Sequence, residues 1–184
     1  MPVYISLLRG VNVSGQKKVK MAALKAVYEA LNLENVTTYV QSGNVVFESS
    51  ESEPFALSEK IYAGVKKAFG FSTEIITRSV DDWRELIEHN PFGKDSEKDP
   101  KYLHATLLAE IPDEQLAQNA STIKFEPDEF VIQGNVVYLY CPNGYGRTKL
   151  TNTFWEKKLK VVATTRNWNT VNKLLELAEA IQES

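Results

Sequence analysis

The chain has 184 residues, of which 43% are hydrophobic and 24% are charged. This balance excludes a disordered protein and is typical of a folded chain. The single cysteine, Cys141, excludes a disulfide scaffold and a metal site built from several cysteines. The apolar run from Val3 to Leu8 is too short to span a membrane and lacks the basic start of a signal peptide. We therefore expect a cytoplasmic protein with no membrane partner.

The formal net charge of −3 hides an uneven distribution of charge along the chain. Residues 1–28 contain five basic and no acidic side chains, whereas residues 48–129 contain 18 acidic and 9 basic ones. Residues 143–173 contain seven basic side chains and one acidic side chain. Two basic segments thus flank an acidic middle. If the fold brings them together they would form an anion-attracting face, whereas each lysine alone also fits an ordinary solvated surface.

The first half of the chain predicts the order β-α-β-β-α-β followed by another helix. The strands are apolar and rich in β-branched residues, and the helices have apolar residues at helical spacing. Gly43-Asn44 predicts a two-residue hairpin. Ser79 and Asp82 resemble a capping box at the start of the extra helix. The predicted strands cover residues 3–9, 36–42, 45–49 and 73–78, and the predicted helices cover 21–31, 54–69 and 79–89.

The second half predicts the same order after a linker at residues 90–101. Gly134-Asn135 predicts a second two-residue hairpin. Asn167 can cap the long last helix. The predicted strands cover residues 102–109, 130–133, 136–141 and 161–165, and the predicted helices cover 112–119, 148–159 and 167–182.

Short sequence matches between the halves indicate an internal duplication. Tyr4–Leu8 matches His104–Leu108 at an offset of 100 residues, and Gly43–Phe47 matches Gly134–Tyr138 at an offset of 91. Further matches fall on corresponding predicted elements. The expected fold is α+β, with two ferredoxin-like halves, mainly antiparallel sheets and extra helices. We assign residues 1–89 to the first half, 90–101 to the linker and 102–184 to the second half, and expect the halves to pack as one compact unit.

The first half carries about nine extra residues after its first strand, because the offset falls from 100 to 91 there. The surplus lies in Gly10–Lys20, which is longer than the roughly two to six residues that such a connection needs. Its glycines, asparagine and lysines favour a ligand loop, although a harmless insertion is equally consistent with its length. Gly10 and Gly15 give only a partial match to a nucleotide-hydrolysing loop. That motif has a lysine and then a hydroxyl residue directly after its second glycine, whereas this chain has Gln16 and Lys17 there.

A second glycine-rich loop, Asn143–Leu150, precedes a predicted helix. Backbone amides at a helix start bind anions, and Arg147 and Lys149 would add positive charge. A plain turn capped by Thr148 or Thr151 explains the same residues. Arg166 ends the last strand, where it could hold an anion bidentately. Its counterpart in the first half, Arg78, instead favours a structural role for both arginines.

No arrangement in the sequence predicts a catalytic centre, a cofactor or a metal site. His104 is the one unforced candidate for a general base, yet it takes the repeat position of Tyr4, where a structural histidine is expected. His89 ends a helix, where a positive charge is favourable. Nucleic-acid binding is open but not favoured, because Ser42–Phe47 does not match the aromatic motif of ferredoxin-like RNA-binding domains.

Several motifs are spread along the chain, namely Leu8-Arg9-Gly10-Val11-Asn12-Val13, Lys20-Met21, Tyr39-Val40-Gln41-Ser42-Gly43-Asn44-Val45-Val46-Phe47, Asn90-Pro91-Phe92, Thr148-Lys149-Leu150 and Thr165-Arg166-Asn167-Trp168-Asn169-Thr170. Together they resemble the bacterial family called domain of unknown function 1697. The resemblance runs from the first strand to the last helix, although Ser14-Gly15 stands where that family usually carries two glycines. It implies a bacterial cytosolic protein with a duplicated ferredoxin-like fold and brings no activity.

These observations lead to the hypothesis of a non-catalytic protein that binds a small anionic or phosphorylated ligand. Arg9 and Lys149 would pair with the anion, while Asn12 and Asn44 would orient it through hydrogen bonds. The alternatives are an enzyme acting on a phosphorylated or nucleotide substrate and a structural or partner-binding module. The sequence does not define the ligand or the oligomeric state. The predicted ligand-binding residues are Arg9, Asn12, Lys20, Gln41, Asn44, Lys149 and Arg166.

Overall fold

The computed structural model describes all 184 residues as an α+β protein with two four-stranded antiparallel sheets and six α-helices. The chain divides into two compact units, Met1–Glu85 with Lys173–Ser184 and Leu86–Asn172. The end of the last helix therefore belongs to the first unit, whereas the sequence predicted the whole helix in the second half. The packing of the two halves as one compact unit stays a prediction. None of the helices is long and apolar enough to cross a membrane.

The first sheet has the strand order β2-β3-β1-β4, in which every neighbouring pair is antiparallel. Pro54 begins α2 at a position where its missing N–H costs nothing, and Gly70 ends that helix in a left-handed conformation with φ +75°. The elements are β1 Val3–Leu8, α1 Met21–Ala30, β2 Glu34–Tyr39, β3 Asn44–Glu48, α2 Pro54–Phe69, β4 Ile75–Ser79 and α3 Val80–Glu88.

The second sheet has the corresponding order, β6-β7-β5-β8, again antiparallel throughout. Thr151 caps α5 by accepting a hydrogen bond from the Phe154 N–H, and Asn167 accepts one from the Thr170 N–H at the start of α6. The elements are β5 Leu103–Leu108, α4 Glu114–Ser121, β6 Glu129–Gln133, β7 Val136–Tyr140, α5 Asn152–Leu159, β8 Ala163–Asn167 and α6 Trp168–Gln182.

Each unit has its own apolar core against its helices. Both faces of the central strands are buried, since every residue of β1 and of β5 is buried. Along an antiparallel strand, successive side chains point to opposite faces. The core of the first unit includes Tyr4, Leu8, Tyr28, Phe47, Leu57 and Ile61. The core of the second unit includes Leu108, Val137, Leu139, Leu150, Trp155 and Leu159.

The first hairpin differs from its prediction, whereas the second matches it. Gln133 pairs with Val136, so Gly134-Asn135 is a two-residue connection. In the first unit Tyr39 pairs with Asn44, so the connection is the four-residue turn from Val40 to Gly43. The Asn44 side chain stabilises the longer turn because its Nδ2 donates to the Tyr39 carbonyl at 3.0 Å and to the Ser42 hydroxyl at 2.8 Å.

This difference shifts the correspondence between the two sheets by one residue from the sequence match. Leu7 pairs with Asn44 and Leu107 pairs with Val136, so Asn44 corresponds to Val136 and not to Asn135. A shift of one residue moves a side chain to the other face of a sheet. Phe47 consequently corresponds to Leu139 in the helix-facing core, and not to Tyr138.

Other predicted boundaries move by a few residues for local reasons. The helix predicted to start at Thr148 starts at Asn152, because Tyr145–Arg147 forms a short 3₁₀ turn and Thr151 provides the cap. The helix predicted at residues 112–119 lies at Glu114–Ser121, where the Asp113 side chain accepts from the Gln115 and Leu116 N–H groups. Ser79 accepts from the Asp82 N–H at 3.1 Å, which is half of the predicted capping box.

Candidate functional site

The segment from Gly10 to Lys20 connects β1 to α1 and is called the cationic loop below. Five of its residues have a left-handed backbone, of which three are not glycine: Asn12 at φ 55°, Ser14 at φ 50° and Lys17 at φ 46°. A left-handed conformation is strained for residues other than glycine, least so for asparagine, and persists where surrounding contacts fix it.

Asn12 supplies the contacts that fix the cationic loop. Its Nδ2 donates to the Val19 carbonyl at 2.9 Å and to the Gln41 carbonyl at 2.7 Å. Its Oδ1 accepts from the Val19 N–H at 2.8 Å. Both amide hydrogens are therefore used within the protein. Asn12 builds the loop and joins it to the turn before β3, a role that differs from the predicted hydrogen bond to a ligand.

Asn44 has the same kind of role at the other side of this junction. Its side chain is fully buried and bonds within the turn from Val40 to Gly43. A buried polar group needs such partners, because leaving it unsatisfied is costly. The two predicted ligand-orienting asparagines thus organise backbone. Gln41 has an exposed side chain, and its carbonyl accepts the bond from Asn12.

The cationic side chains at this junction are carried by the cationic loop and by the residue just before it, and residues 1–28 contain no carboxylate. Arg9 follows β1 directly and is half-buried. Lys18 and Lys20 are exposed, and neither forms an ion pair. The Lys17 ammonium lies 6.0 Å from the centre of the Phe71 ring. Arg9, Lys20 and Gln41, three of the predicted site residues, are therefore carried by segments that Asn12 ties together.

The two remaining predicted site residues, Lys149 and Arg166, belong to the second unit. Arg166 is only 9% exposed, and its Nη1 donates to the Thr164 hydroxyl and to the Thr165 carbonyl, both at 3.0 Å. Burial lowers the pKa of its guanidinium to about 10. In the first unit Arg78 likewise donates to the preceding carbonyl, that of Thr77, at 3.2 Å. This repetition supports the structural role of Arg166.

Lys149 lines a surface pocket of about 210 Å³ in the second unit, called the turn pocket below. The sequence indicated one wall of this pocket, the glycine-rich loop, as a candidate site, but it did not indicate the wall at residues 125–128. The Thr148 hydroxyl donates to the Asp128 carboxylate at 2.6 Å and joins the two walls, a pairing that only the fold shows. The pocket is lined by Phe125, Glu126, Pro127, Asp128, Asn143, Gly144, Arg147 and Lys149.

His104, the candidate general base, is 8% exposed and is the second residue of β5. Its ring stacks on that of Tyr145 with the ring centres 4.8 Å apart. His104 pairs with Leu139, just as Tyr4 pairs with Phe47 in the first sheet. Because Phe47 and Leu139 both belong to the helix-covered cores, His104 faces such a core as well. Burial lowers the pKa of its imidazole, while the Tyr102 backbone acts in the opposite direction. This enclosed position argues against His104 as a base that contacts a substrate.

We expect His104→Tyr to make the protein less sensitive to mild acid. Because burial lowers the pKa of His104, the unfolded chain takes up a proton before the folded protein does. Stability is therefore lost as the pH falls below the ordinary histidine value of 6.5. Urea denaturation at about pH 7.5 and about pH 5.5 measures the difference, and His89→Gln, at an exposed histidine, serves as the control. An unchanged acid dependence in His104→Tyr would contradict this assignment.

Comparison with known proteins places the chain in a family. Residues 1–138 match the family described as protein of unknown function, DUF1697. The chain belongs to the DUF1697 family. The matched region includes the cationic loop and the turns of both hairpins, whereas Arg147 and Lys149 of the turn pocket lie beyond it. No curated protein matches the chain.

Among solved structures, the chain is similar to the conserved bacterial protein SP0830 from Streptococcus pneumoniae. The TM-score is 0.72 at 22% sequence identity, and the match covers 96% of this chain and 98% of that one. At this identity the similarity concerns the fold alone. This DUF1697 member therefore shares its whole α+β architecture with SP0830.

Proposed function

We propose that this DUF1697 protein binds a small anionic or phosphorylated ligand at the cationic loop and catalyses no reaction. The observation that carries the proposal is the loop itself. Its strained backbone is fixed by Asn12, and its exposed Lys18 and Lys20 have no acidic partner. A loop held in one conformation needs little further ordering when it binds, which favours affinity.

The ligand would be held by charge from Arg9, Lys18 and Lys20 and by a hydrogen bond from the exposed Gln41 side chain. Charge-assisted hydrogen bonds to a phosphate are stronger than neutral ones. Asn12 and Asn44 would act on the ligand only through the backbone that they position. The participation of Lys149 in binding the anion stays a prediction.

Titration with inorganic pyrophosphate tests the proposal. We expect Lys18→Gln/Lys20→Gln to weaken its affinity at least about tenfold, a change of about 1.4 kcal/mol. Lys60→Gln, which removes an equally exposed and unpaired lysine on α2, is the matched control and should leave the affinity unchanged. Isothermal titration calorimetry measures the affinities, and a thermal shift of the wild type provides an independent readout.

Two results would overturn or redirect the proposal. Absence of pyrophosphate binding, or equal binding by the double variant and the wild type, would contradict a site at the cationic loop. A Lys149→Gln variant included in the same series tests whether the second basic segment takes part. A loss of affinity in that variant as large as in the double variant would support a contribution of Lys149 to pyrophosphate binding.

A partner-binding surface at the same junction is a second candidate function. Val13 on the cationic loop and Val40 in the turn are 57% and 50% exposed, two of only five large apolar side chains with such exposure. Exposed apolar side chains beside charged ones occur at protein interfaces. If pyrophosphate fails to bind, a weaker self-association or partner affinity in Val13→Ser/Val40→Ser would favour this function.

We further infer that each unit is a ferredoxin-like fold and that the two arose by duplication. The support is the shared element order, the shared strand order and the corresponding strand register in both sheets. The equivalent bonds of Arg78 and Arg166 to their preceding carbonyls agree with this origin. The cytoplasmic location stays a prediction.

A further inference from the structure

The turn pocket of the second unit combines both signs of charge around one small cavity. Arg147 and Lys149 on one wall are exposed and form no ion pair, and Glu126 on the facing wall forms none either. Opposite charges that line one pocket without pairing leave their hydrogen-bonding groups available to a ligand. The Asn143 side chain also has no partner within the protein.

Hydrogen bonds hold the walls of the turn pocket in place. Thr148 donates to Asp128, which leaves the second oxygen of that carboxylate available. The Asp128 N–H donates to the Phe125 carbonyl at 3.0 Å, and the Gly144 N–H donates to the Cys141 carbonyl at 2.9 Å. Binding groups on walls that are already ordered bind a ligand at a lower entropic cost.

The size of the pocket and the Phe125 ring restrict which ligands can bind. Its volume of about 210 Å³ lies below the roughly 300–1,000 Å³ of pockets for drug-sized molecules. The Lys149 ammonium lies 5.6 Å from the centre of the Phe125 ring, so this ring face already carries a cation. A flat aromatic ligand stacked on Phe125 would have to displace it. A compact molecule with separate positive and negative groups fits without that displacement.

We propose that the turn pocket binds a small zwitterion of the free α-amino acid class. The ligand carboxylate would pair with Arg147, which can bind it bidentately, and with Lys149. The ligand ammonium would pair with Glu126 and with the available oxygen of Asp128. None of these residues belongs to the cationic loop, and Arg147, Glu126 and Asp128 have no part in the function proposed above, so this proposal does not depend on it.

Amide NMR spectra of the whole protein, recorded with each of the twenty proteinogenic L-α-amino acids in turn, test the proposal. We expect at least one amino acid to shift the amide signals of Asp128, Asn143, Gly144 and Arg147. The same amino acid should bind at least about tenfold more weakly to Arg147→Gln and to Glu126→Gln, since each variant removes one charged contact. Acetate and methylammonium, which each carry one of the two charges, should bind much more weakly.

Matched controls separate the pocket from general surface charge. Lys94→Gln and Glu110→Gln change the same kinds of charge at exposed, unpaired positions in the second unit and should retain the affinity. The proposal is overturned if no amino acid shifts the pocket signals. It is also overturned if acetate binds as tightly as the amino acid, because the site would then recognise an anion alone. Pyrophosphate binding at the cationic loop is unaffected by either result.

Discussion

Gly43→Ala is expected to lower the free energy of unfolding by about 3 kcal/mol. The backbone of Gly43 has φ +76°, a conformation that costs an alanine about 1 kcal/mol or more. An added Cβ would also lie 2.7 Å from the Leu8 Cβ and 2.8 Å from Val11 Cγ2. Both neighbours are buried core residues, so relieving the overlap costs about another 1–3 kcal/mol.

Gly134→Ala is the matched control for this prediction. Gly134 is the turn glycine of the other hairpin and has φ +56°, but an added Cβ there meets nothing within 4 Å. Its substitution should cost about 1 kcal/mol, the backbone contribution alone. Urea denaturation of both variants isolates the steric contribution of the Leu8 and Val11 contacts. Equal losses in the two variants would contradict the close packing of Gly43 beneath the cationic loop.

Trp155→Ala is expected to lower the free energy of unfolding by about 4 kcal/mol. Trp155 on α5 is fully buried, and its ring packs edge-to-face against Phe130 and Phe154, each with ring centres 4.9 Å apart. Removing the indole leaves a large cavity in the core of the second unit, and such truncations typically cost about 3–5 kcal/mol. Urea denaturation followed by far-UV circular dichroism measures the loss.

Trp155→Phe should cost markedly less, about 1–2 kcal/mol. The indole Nε1 is buried and has no hydrogen-bond partner, so replacing it with a phenyl ring removes volume but breaks no hydrogen bond. Phe55→Ala, at a side chain that is 76% exposed, should stay within about 0.5 kcal/mol of the wild type. A Trp155→Phe variant as unstable as Trp155→Ala would show that the indole makes a specific contact.

Both proposed binding sites lie on loops that the β-sheets support. The cationic loop follows the central strand β1, and its Asn12 bonds tie it to the turn that precedes β3. The turn pocket lies between the loop after β7 and the turn before β6. Loops held by a scaffold are where binding residues commonly occur. The two proposed sites differ in charge, and the experiments above test them separately.

Local chemistry allowed the secondary structure to be predicted closely. Alternating and β-branched residues indicated all eight strands, and the predicted cap Asn167 stands at the start of the last helix in the structure. These features depend on neighbours within a few residues, and the sequence contains that information directly. The resemblance to the DUF1697 family, based on motifs spread along the chain, is confirmed.

The first hairpin shows where local patterns failed. The letters Gly-Asn occur in both hairpins, yet only Gly134-Asn135 forms a two-residue turn. In the first unit Asn44 is drawn into β3, where its buried side chain bonds to Tyr39 and Ser42. Tertiary packing thus overrides an identical dipeptide, because burial of the amide requires partners that only the longer turn supplies.

The sequence by itself determined the α+β class, the order of elements, the basic character of the first loop and the membership of the family. The tertiary structure decided what the individual polar residues do. Asn12 and Asn44 were predicted to face a ligand, but each donates to backbone carbonyls of the cationic loop or of the hairpin before β3. Glu126 and Asp128 came beside Arg147 only through folding. A side chain's role depends on partners distant in sequence, and only the fold brings those partners within bonding distance.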